Sequence, residues 1–359
     1  MAGLKQVLRL VVEQGATLGR DEARRFLTEI LESEPGQEDM EIAALLTALS
    51  LRGETADELT GFAEAMRARA TPIPLTDAER NSLVDTCGTG GTGRGTFNIS
   101  TCAALVAVAA GAKVAKHGNR AVTSKCGSAD VVEALGLPVA LTPDQAALCL
   151  RETGFMFLLA PVFHPAMKRM MTIRRNLGFR TIFNQAGPLT NPAGARAQVM
   201  GVASARMVPS VAEAMARLGV SHAFVAHGID GIDEITITGE TSMAEVKHMQ
   251  GRPDSVRLFH VQPEDFGLQR ATLADITASE TAAESAHVLE GILAGAQGPK
   301  RQIVLLNASA ALVAAGTAAD FHEGLARAAE AIDSGGATAV VARLREFAAD
   351  TAVNTKDRV

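Results

Sequence analysis

The chain has no tryptophan and no tyrosine, and aromatic residues make up only 4% of its 359 positions. It therefore lacks the usual platforms on which unpaired bases stack. A surplus of positive charge is missing too: 34 lysines and arginines face 40 aspartates and glutamates, a formal net charge of -6. No footprint for a polyanion follows from that balance, and nucleic acid is not an expected partner. Cysteine is scarce. Cys87, Cys102, Cys126 and Cys149 form no C-x-x-C pair, which argues against a zinc site or a disulfide scaffold. Long apolar runs are also absent; the longest, Ala103 to Ala112, is too short to cross a bilayer. Lys5, Arg9 and Glu13 interrupt the amino-terminal apolar stretch, so neither a signal peptide nor a membrane span fits and a reducing cytoplasm is the expectation. What remains is 47% hydrophobic and 21% charged, the balance of a soluble globular protein with one large domain or two separate cores.

The first seventy or so residues read as helices alone. Leu4, Val7, Leu8, Val11 and Val12 recur at helical spacing, as do Phe26, Leu27, Ile30 and Leu31. A third helix is expected from about Glu38 to Leu51. A fourth opens on Thr55-Ala-Asp-Glu58, which has the form of a capping box. Thr71-Pro-Ile-Pro-Leu75 ends this block, because two prolines cannot sit inside a helix. Beyond it, short apolar stretches such as Phe155 to Ala160, Gln198 to Ala203 and Ala223 to Ala226 suit buried strands, with helices such as Val208 to Leu218 between them. That alternation predicts an α/β domain with a mostly parallel central sheet flanked by helices, beside a smaller all-helical domain. Helices dominate again from about Ala282.

Four segments carry the chemistry. The first runs from Asp85 to Thr101, with Gly88, Gly90, Gly91, Gly93 and Gly95 set between an expected strand and an expected helix. Glycine permits close backbone approach, and Asn98-Ile-Ser-Thr101 places capping side chains and free amides at a helix start, which favours phosphate. A mobile surface loop would show the same glycines. The second runs from Lys116 to Asp130 and mixes Lys116, Arg120 and Lys125 with Asn119, Thr123, Ser124 and Ser128, which suits a second phosphate or a solvated basic loop. The third, Asp230-Gly-Ile-Asp-Glu234 after His227-Gly228, offers oxygen ligands at a strand end, where Mg²⁺ takes one or two carboxylates. Acidic pairs are also common in plain solvated turns. The fourth begins at His164 and includes Lys168, Arg174, Arg175 and Arg180, then Gly187-Pro-Leu-Thr-Asn-Pro192. A guanidinium there could hold a carboxylate in bidentate fashion, or the segment could be a cationic solvent face.

Taken together, these segments resemble the anthranilate phosphoribosyltransferases. The family pattern GTGGDG-x-x-TFNIST, KHGNR-x-x-SS-x-SGSADVLEALG, HPAM…RRxLGxRTxFN-x-x-GPLxNP and HGxDGxDE is matched in order over nearly the whole chain, and the late Asn307-Ala308 also fits. The resemblance implies a nucleoside phosphorylase/phosphoribosyltransferase-like fold. A small helical domain of residues 1–72, completed by about 165–187, would sit beside a large domain of 76–164 and 188–359, and two chains would pair as a homodimer through the helical part. It implies transfer of a phosphoribosyl group from phosphoribosyl pyrophosphate to the amine of anthranilate in tryptophan biosynthesis. Phosphoribosyl pyrophosphate would lie against Gly88, Gly91, Thr92, Thr96, Asn98, Ile99, Ser100 and Thr101. It would continue along Lys116, His117, Gly118, Asn119, Arg120, Ala121, Val122, Thr123 and Ser124 to Ser128.

By the same resemblance Gly88, Asn119, His164 and Arg174 would contact anthranilate, with His117 lining its approach and His117 and Arg174 the candidate catalytic groups. Ser100, Asp233 and Glu234 would hold Mg²⁺, two ions per chain. Three departures stand out: Thr92 replaces an aspartate, Thr123 keeps the hydroxyl of a serine, and Cys126 replaces a second serine. A nucleoside phosphorylase of related fold and a non-catalytic nucleic-acid-binding relative are the alternatives. The KHGNR and DGIDE segments favour the transferase over the first, and the acidic balance of the chain disfavours the second.

Overall fold

The computed structural model describes residues 4–34, 36–90, 95–121, 126–248, 255–277 and 281–356. Four helices come first: α1 (Leu4–Gln14), α2 (Arg20–Glu32), α3 (Asp39–Arg52) and α4 (Ala56–Arg67). Leu4, Val7 and Val11 of the stripe expected on α1 are buried, while Val12 is turned outward, and on α2 Phe26, Leu27 and Ile30 are buried. The capping box at Thr55 is formed. Its Glu58 is wholly buried, yet it accepts from the Leu18 and Thr55 amides, each at 2.9 Å, and pairs with Arg52. Several donors on one carboxylate make that burial tolerable. At Gly61 on α4 an added methyl would overlap the Arg20 carbonyl, so glycine is what lets α2 and α4 meet.

Seven strands follow: β1 (Leu83–Gly88), β2 (Lys113–Gly118), β3 (Phe155–Leu159), β4 (Ala197–Gly201), β5 (His222–Gly228), β6 (Thr241–Lys247) and β7 (Ser255–Val261). They form one sheet in the order β3-β2-β1-β4-β5-β6-β7. The first five pair in parallel and β6 pairs antiparallel with both β5 and β7, so the mostly parallel sheet expected from the sequence is present. β3 and β4 are buried along their whole length, as strands covered by helices on both faces must be. The edge strand β7 is largely exposed, and neither β6 nor β7 stood out in the sequence. The order reverses between β1 and β4, and such a reversal opens a crevice beyond the carboxyl ends of the strands.

Helices cover both faces. On one, helices Ile99–Ala109 and Pro299–Ala314 pack against residues such as Val84, Val114 and Phe157. On the other, a single cluster joins Leu27 and Phe62 of the first four helices to Met200 and Val225 of the sheet through helix Met207–Arg217. The bundle thus shares its core with one sheet face. Helices Lys168–Leu177 and Ile182–Ala186 pack on α3 and α4, and Arg169 ties that segment down by donating to the carbonyls of Ile30 and Ser33, each at 3.0 Å, and to Asp39 at 2.8 Å. Among the described residues no helix is long and apolar enough to cross a membrane.

Candidate functional site

Four of the five parallel strands end in glycine: Gly88, Gly118, Gly201 and Gly228. Gly88 and Gly201 are register partners at the reversal of strand order. A methyl on Gly88 would overlap the Asp233 carboxylate, and one on Gly201 would overlap the Asp233 backbone carbonyl. The missing side chains are what allow the acidic segment to lie across the crevice. From there the Asp233 Oδ2 accepts from the Gly90 amide at 2.8 Å, and the Glu234 Oε1 accepts from the Ser100 amide at 3.2 Å. The acidic pair therefore touches both ends of the first glycine turn. Gly91 and Thr92 lie outside the described residues. Thr96 forms an isolated bridge with Thr277.

The helix start after this turn differs from expectation. The amides of Ile99, Ser100 and Thr101 are not free: they donate to the Phe97 carbonyl, Glu234 and the Asn98 carbonyl. Asn98 makes no capping bond either. Its Oδ1 accepts instead from the Ser285 hydroxyl at 2.8 Å and the Cys126 thiol at 3.5 Å. The side chains of Ile99 and Thr101 are buried. That thiol contact joins the first turn to the second.

In the second segment Lys116 is 1% exposed, and its ammonium donates to the Thr86 carbonyl and to the Ser100 hydroxyl at 3.2 Å. Burial lowers its pKa while Asp85, Cys87 and Glu234 pull the other way. Its charge stands behind Ser100 rather than on the open turn. Arg120 is likewise engaged, paired with Asp130 at 3.2 Å and Glu133 at 2.7 Å. Asp130 also accepts from the amides of Ala121 and Gly127, closing the base of the turn. Asn119 accepts from the Arg120 amide at 2.8 Å, and Ser128 donates to the Asn119 carbonyl at 3.4 Å. At Gly118 a methyl would overlap the Ser128 hydroxyl. Val122, Thr123, Ser124 and Lys125 lie outside the described residues.

His117 and His164 are both buried, with ring centroids 5.1 Å apart. Burial depresses His117 to about 3, helped by repulsion from His164 and Lys116, and it depresses His164 to about 4. Both rings are neutral at pH 7. His117 Nε2 has no hydrogen-bond partner among the described residues, and the His164 ring nitrogens make none beyond a loose approach to the Thr190 backbone. Arg174 is half-buried on helix Lys168–Leu177. It donates to Asn184 at 3.4 Å and lies 5.7 Å from the Phe183 ring centre, with no carboxylate partner among the described residues. Burial lowers its pKa, as expected of a desolvated cation with donors to spare.

Two buried residues went unassigned in the sequence. Asp85 accepts from the His117 amide at 3.1 Å and from Asn191 at 2.9 Å, and Asn191 also donates to the Ala115 carbonyl at 2.8 Å. Burial raises Asp85 to about 6, against those donors and Lys116. An acid inside an apolar strand, immediately before a glycine turn, was the available signal.

Among the described residues no three His, Cys, Asp or Glu side chains gather into a metal cage. The crevice offers two carboxylates and one hydroxyl, all hard oxygen donors. Mg²⁺ fits such a set, because it keeps waters and completes its shell with substrate phosphates. Glu234 carries the mark of missing positive charge: burial, then the neighbouring Asp233, hold its carboxyl well above the ordinary range despite Lys116. A divalent cation would relieve both.

A doubly wound sheet with an acidic pair across its glycine turns, carrying a helical bundle, defines a class of glycosyl-transferring enzymes. Accordingly, residues 5–70 match the glycosyl transferase family helical bundle domain and residues 80–338 match the glycosyl transferase family a/b domain. The chain is 49% identical to the anthranilate phosphoribosyltransferase of Solibacter usitatus, over 97% of this chain and 99% of that one, and 50% identical to that of Moorella thermoacetica, over 91% and 94%. Among solved structures, the anthranilate phosphoribosyltransferase of Thermus thermophilus superposes with a TM-score of 0.84 at 40% identity, covering 97% of this chain and 99% of that one. The Saccharomyces cerevisiae enzyme in complex with phosphoribosyl pyrophosphate and Mg gives 0.84 at 27% identity, covering 97% and 98%. The chain belongs to the anthranilate phosphoribosyltransferase family.

Proposed function

We propose that the protein transfers the phosphoribosyl group of phosphoribosyl pyrophosphate to the amine of anthranilate, releasing pyrophosphate and N-(5-phosphoribosyl)anthranilate in tryptophan biosynthesis. The observation that carries this reading is the contact of Asp233 and Glu234 with both ends of the first glycine turn, at the reversal of strand order. Ser100, Asp233 and Glu234 would hold two Mg²⁺ ions per chain, whose charge would offset that developing on the departing pyrophosphate. Gly90, with no heavy atom within 4 Å of where a side chain would begin, leaves the turn open so that the sugar and its phosphates can approach the backbone. Asn98, Asn119 and Ser128 border the two turns that would take its opposite ends.

An aromatic amine is neutral at pH 7 and needs no strong base to begin its attack. The neutral His117 ring can accept a hydrogen bond from that amine without repelling a cation-like ribose. Arg174, with donors unspent, suits the anthranilate carboxylate, and His164 lines the approach beside His117. Positioning supplies much of the remaining acceleration. The helical part, residues 1–72 with 165–187, would form the homodimer contact. Met40 and Leu51 on α3 are 83% and 84% exposed, which supports that face. The expected setting is the cytoplasm.

The test is loss of anthranilate fluorescence on adding phosphoribosyl pyrophosphate and Mg²⁺. Fluorescence that stays constant, with inorganic phosphate consumed when a nucleoside is offered instead, would move the assignment to the phosphorylases of related fold.

A further inference from the structure

We propose that Asn307 and Asp230 are positioning residues that clamp the backbone on either side of Asp233 and Glu234, and so hold the two acidic side chains in place for the cation. The inference rests on the proposed function in taking that pair as metal-holding. Neither Asn307 nor Asp230 is itself among the proposed ligands.

Asn307 is 3% exposed in the middle of helix Pro299–Ala314, where asparagine is a poor helix former. Its side chain compensates by gripping the residue that follows Glu234. Oδ1 accepts from the Ile235 amide at 3.0 Å, and Nδ2 donates to the Ile235 carbonyl and the Ile303 carbonyl, each at 2.9 Å. A carboxamide thus takes the place of a neighbouring strand, satisfying both polar groups of one buried residue. On the other side Asp230 accepts from the Ile232 amide at 3.2 Å, the Thr236 hydroxyl at 2.7 Å and the Thr238 hydroxyl at 2.6 Å. The first acid of the DGIDE segment is therefore turned inward, on its own loop. Ile232, Ile235 and Ile237 are fully buried and seat the segment in the core.

The clamp matters because the carboxylates have little else to hold them. Among the described residues each accepts a single backbone amide. With residue 235 released, Glu234 can swing away from Ser100, and a cation must then reassemble the site on binding. The cost falls on metal affinity rather than on anthranilate.

The probe is Mn²⁺ in place of Mg²⁺. Protein-bound metal is counted by equilibrium dialysis at a fixed phosphoribosyl pyrophosphate concentration, with the full chain and with Asn307→Ala, alongside melting temperature and the anthranilate KM. A folded Asn307→Ala chain that binds Mn²⁺ at least about fivefold more weakly, with KM for anthranilate unchanged, supports the clamp. If it folds and binds Mn²⁺ as the natural chain does, Asn307 only stabilises the helix and the proposal falls. Should Asn307→Ala fail to fold, Thr238→Val, which removes one donor from Asp230, decides by the same measurement. A loss of about twofold then supports the clamp, and no change overturns it. Absence of bound Mn²⁺ on the natural chain overturns the metal reading itself, a separate result from an unaltered variant.

Discussion

A wholly buried acid and a half-buried one differ sharply in how well they are satisfied. Glu58 in the bundle receives two backbone amides and a guanidinium, and nothing about it is left over. Glu234 at the crevice receives one amide at 3.2 Å and faces another carboxylate. The first is a closed account of hydrogen bonds and belongs to stability. The second keeps oxygen lone pairs unspent beside a neighbouring acid, which is the mark of a functional site rather than of a structural one. Arg174 and the His117–His164 pair belong with Glu234, since each keeps donors or acceptors that no described residue uses.

The widest separation should come from the acids at the crevice. Replacing Asp233→Asn together with Glu234→Gln should cut turnover by at least about a thousandfold, roughly 4 kcal/mol of transition-state stabilisation, while the fold is retained because a repulsion is removed. Retained activity in a fluorescence assay would place the metal elsewhere. Glu58→Gln should do the reverse, costing about 3–5 kcal/mol of stability by leaving Arg52 and the amides poorly matched, with kcat nearly unchanged. Urea denaturation beside steady-state kinetics separates the two cases.

The histidines give a pH signature of intermediate size. Their folded pKa values, about 3 and about 4, lie below the ordinary value of 6.5, so the unfolded chain binds more protons across that window. Stability should therefore fall as pH drops below about 6.5, by on the order of 2 kcal/mol at pH 5 from His117 alone. His117→Asn should flatten that slope in denaturation curves at pH 7 and pH 5. An equally steep loss in the variant would show that the ring is not the source. The smallest effect is expected at Arg174, where Arg174→Ala should raise the anthranilate KM about tenfold, a loss of roughly 1.4 kcal/mol, without altering the KM for phosphoribosyl pyrophosphate. An unaltered anthranilate KM would remove Arg174 from carboxylate recognition.

What could be read from the sequence was local. The capping box at Thr55, the apolar runs that became β3 and β4, and the glycine and acidic segments all announce themselves within about fifteen residues. The partnership of Asp233 with Gly90 spans 143 positions, and only folding brings the two together. Charge was legible in kind, and its local partners were not: Lys116 and Arg120 read as cations suited to a phosphate, and the fold sets one behind Ser100 and pairs the other with Asp130 and Glu133. The free amides expected at Ile99 to Thr101 were misjudged because Glu234, 134 positions away, takes the Ser100 amide and nearby carbonyls take the other two, while the Asn98 side chain is drawn off by Ser285, 187 positions away. Edge strands such as β7 have too little buried surface to impose a pattern, so they stayed hidden.

Because Leu27 and Phe62 lie in the same apolar cluster as Met200 and Val225, the bundle and the sheet have no seam at which to come apart. The molecule should melt in one cooperative step. A fragment cut after the prolines near position 74 would expose the apolar outer side of helix Met207–Arg217 to water, so that the helices serve the catalytic half as its wall.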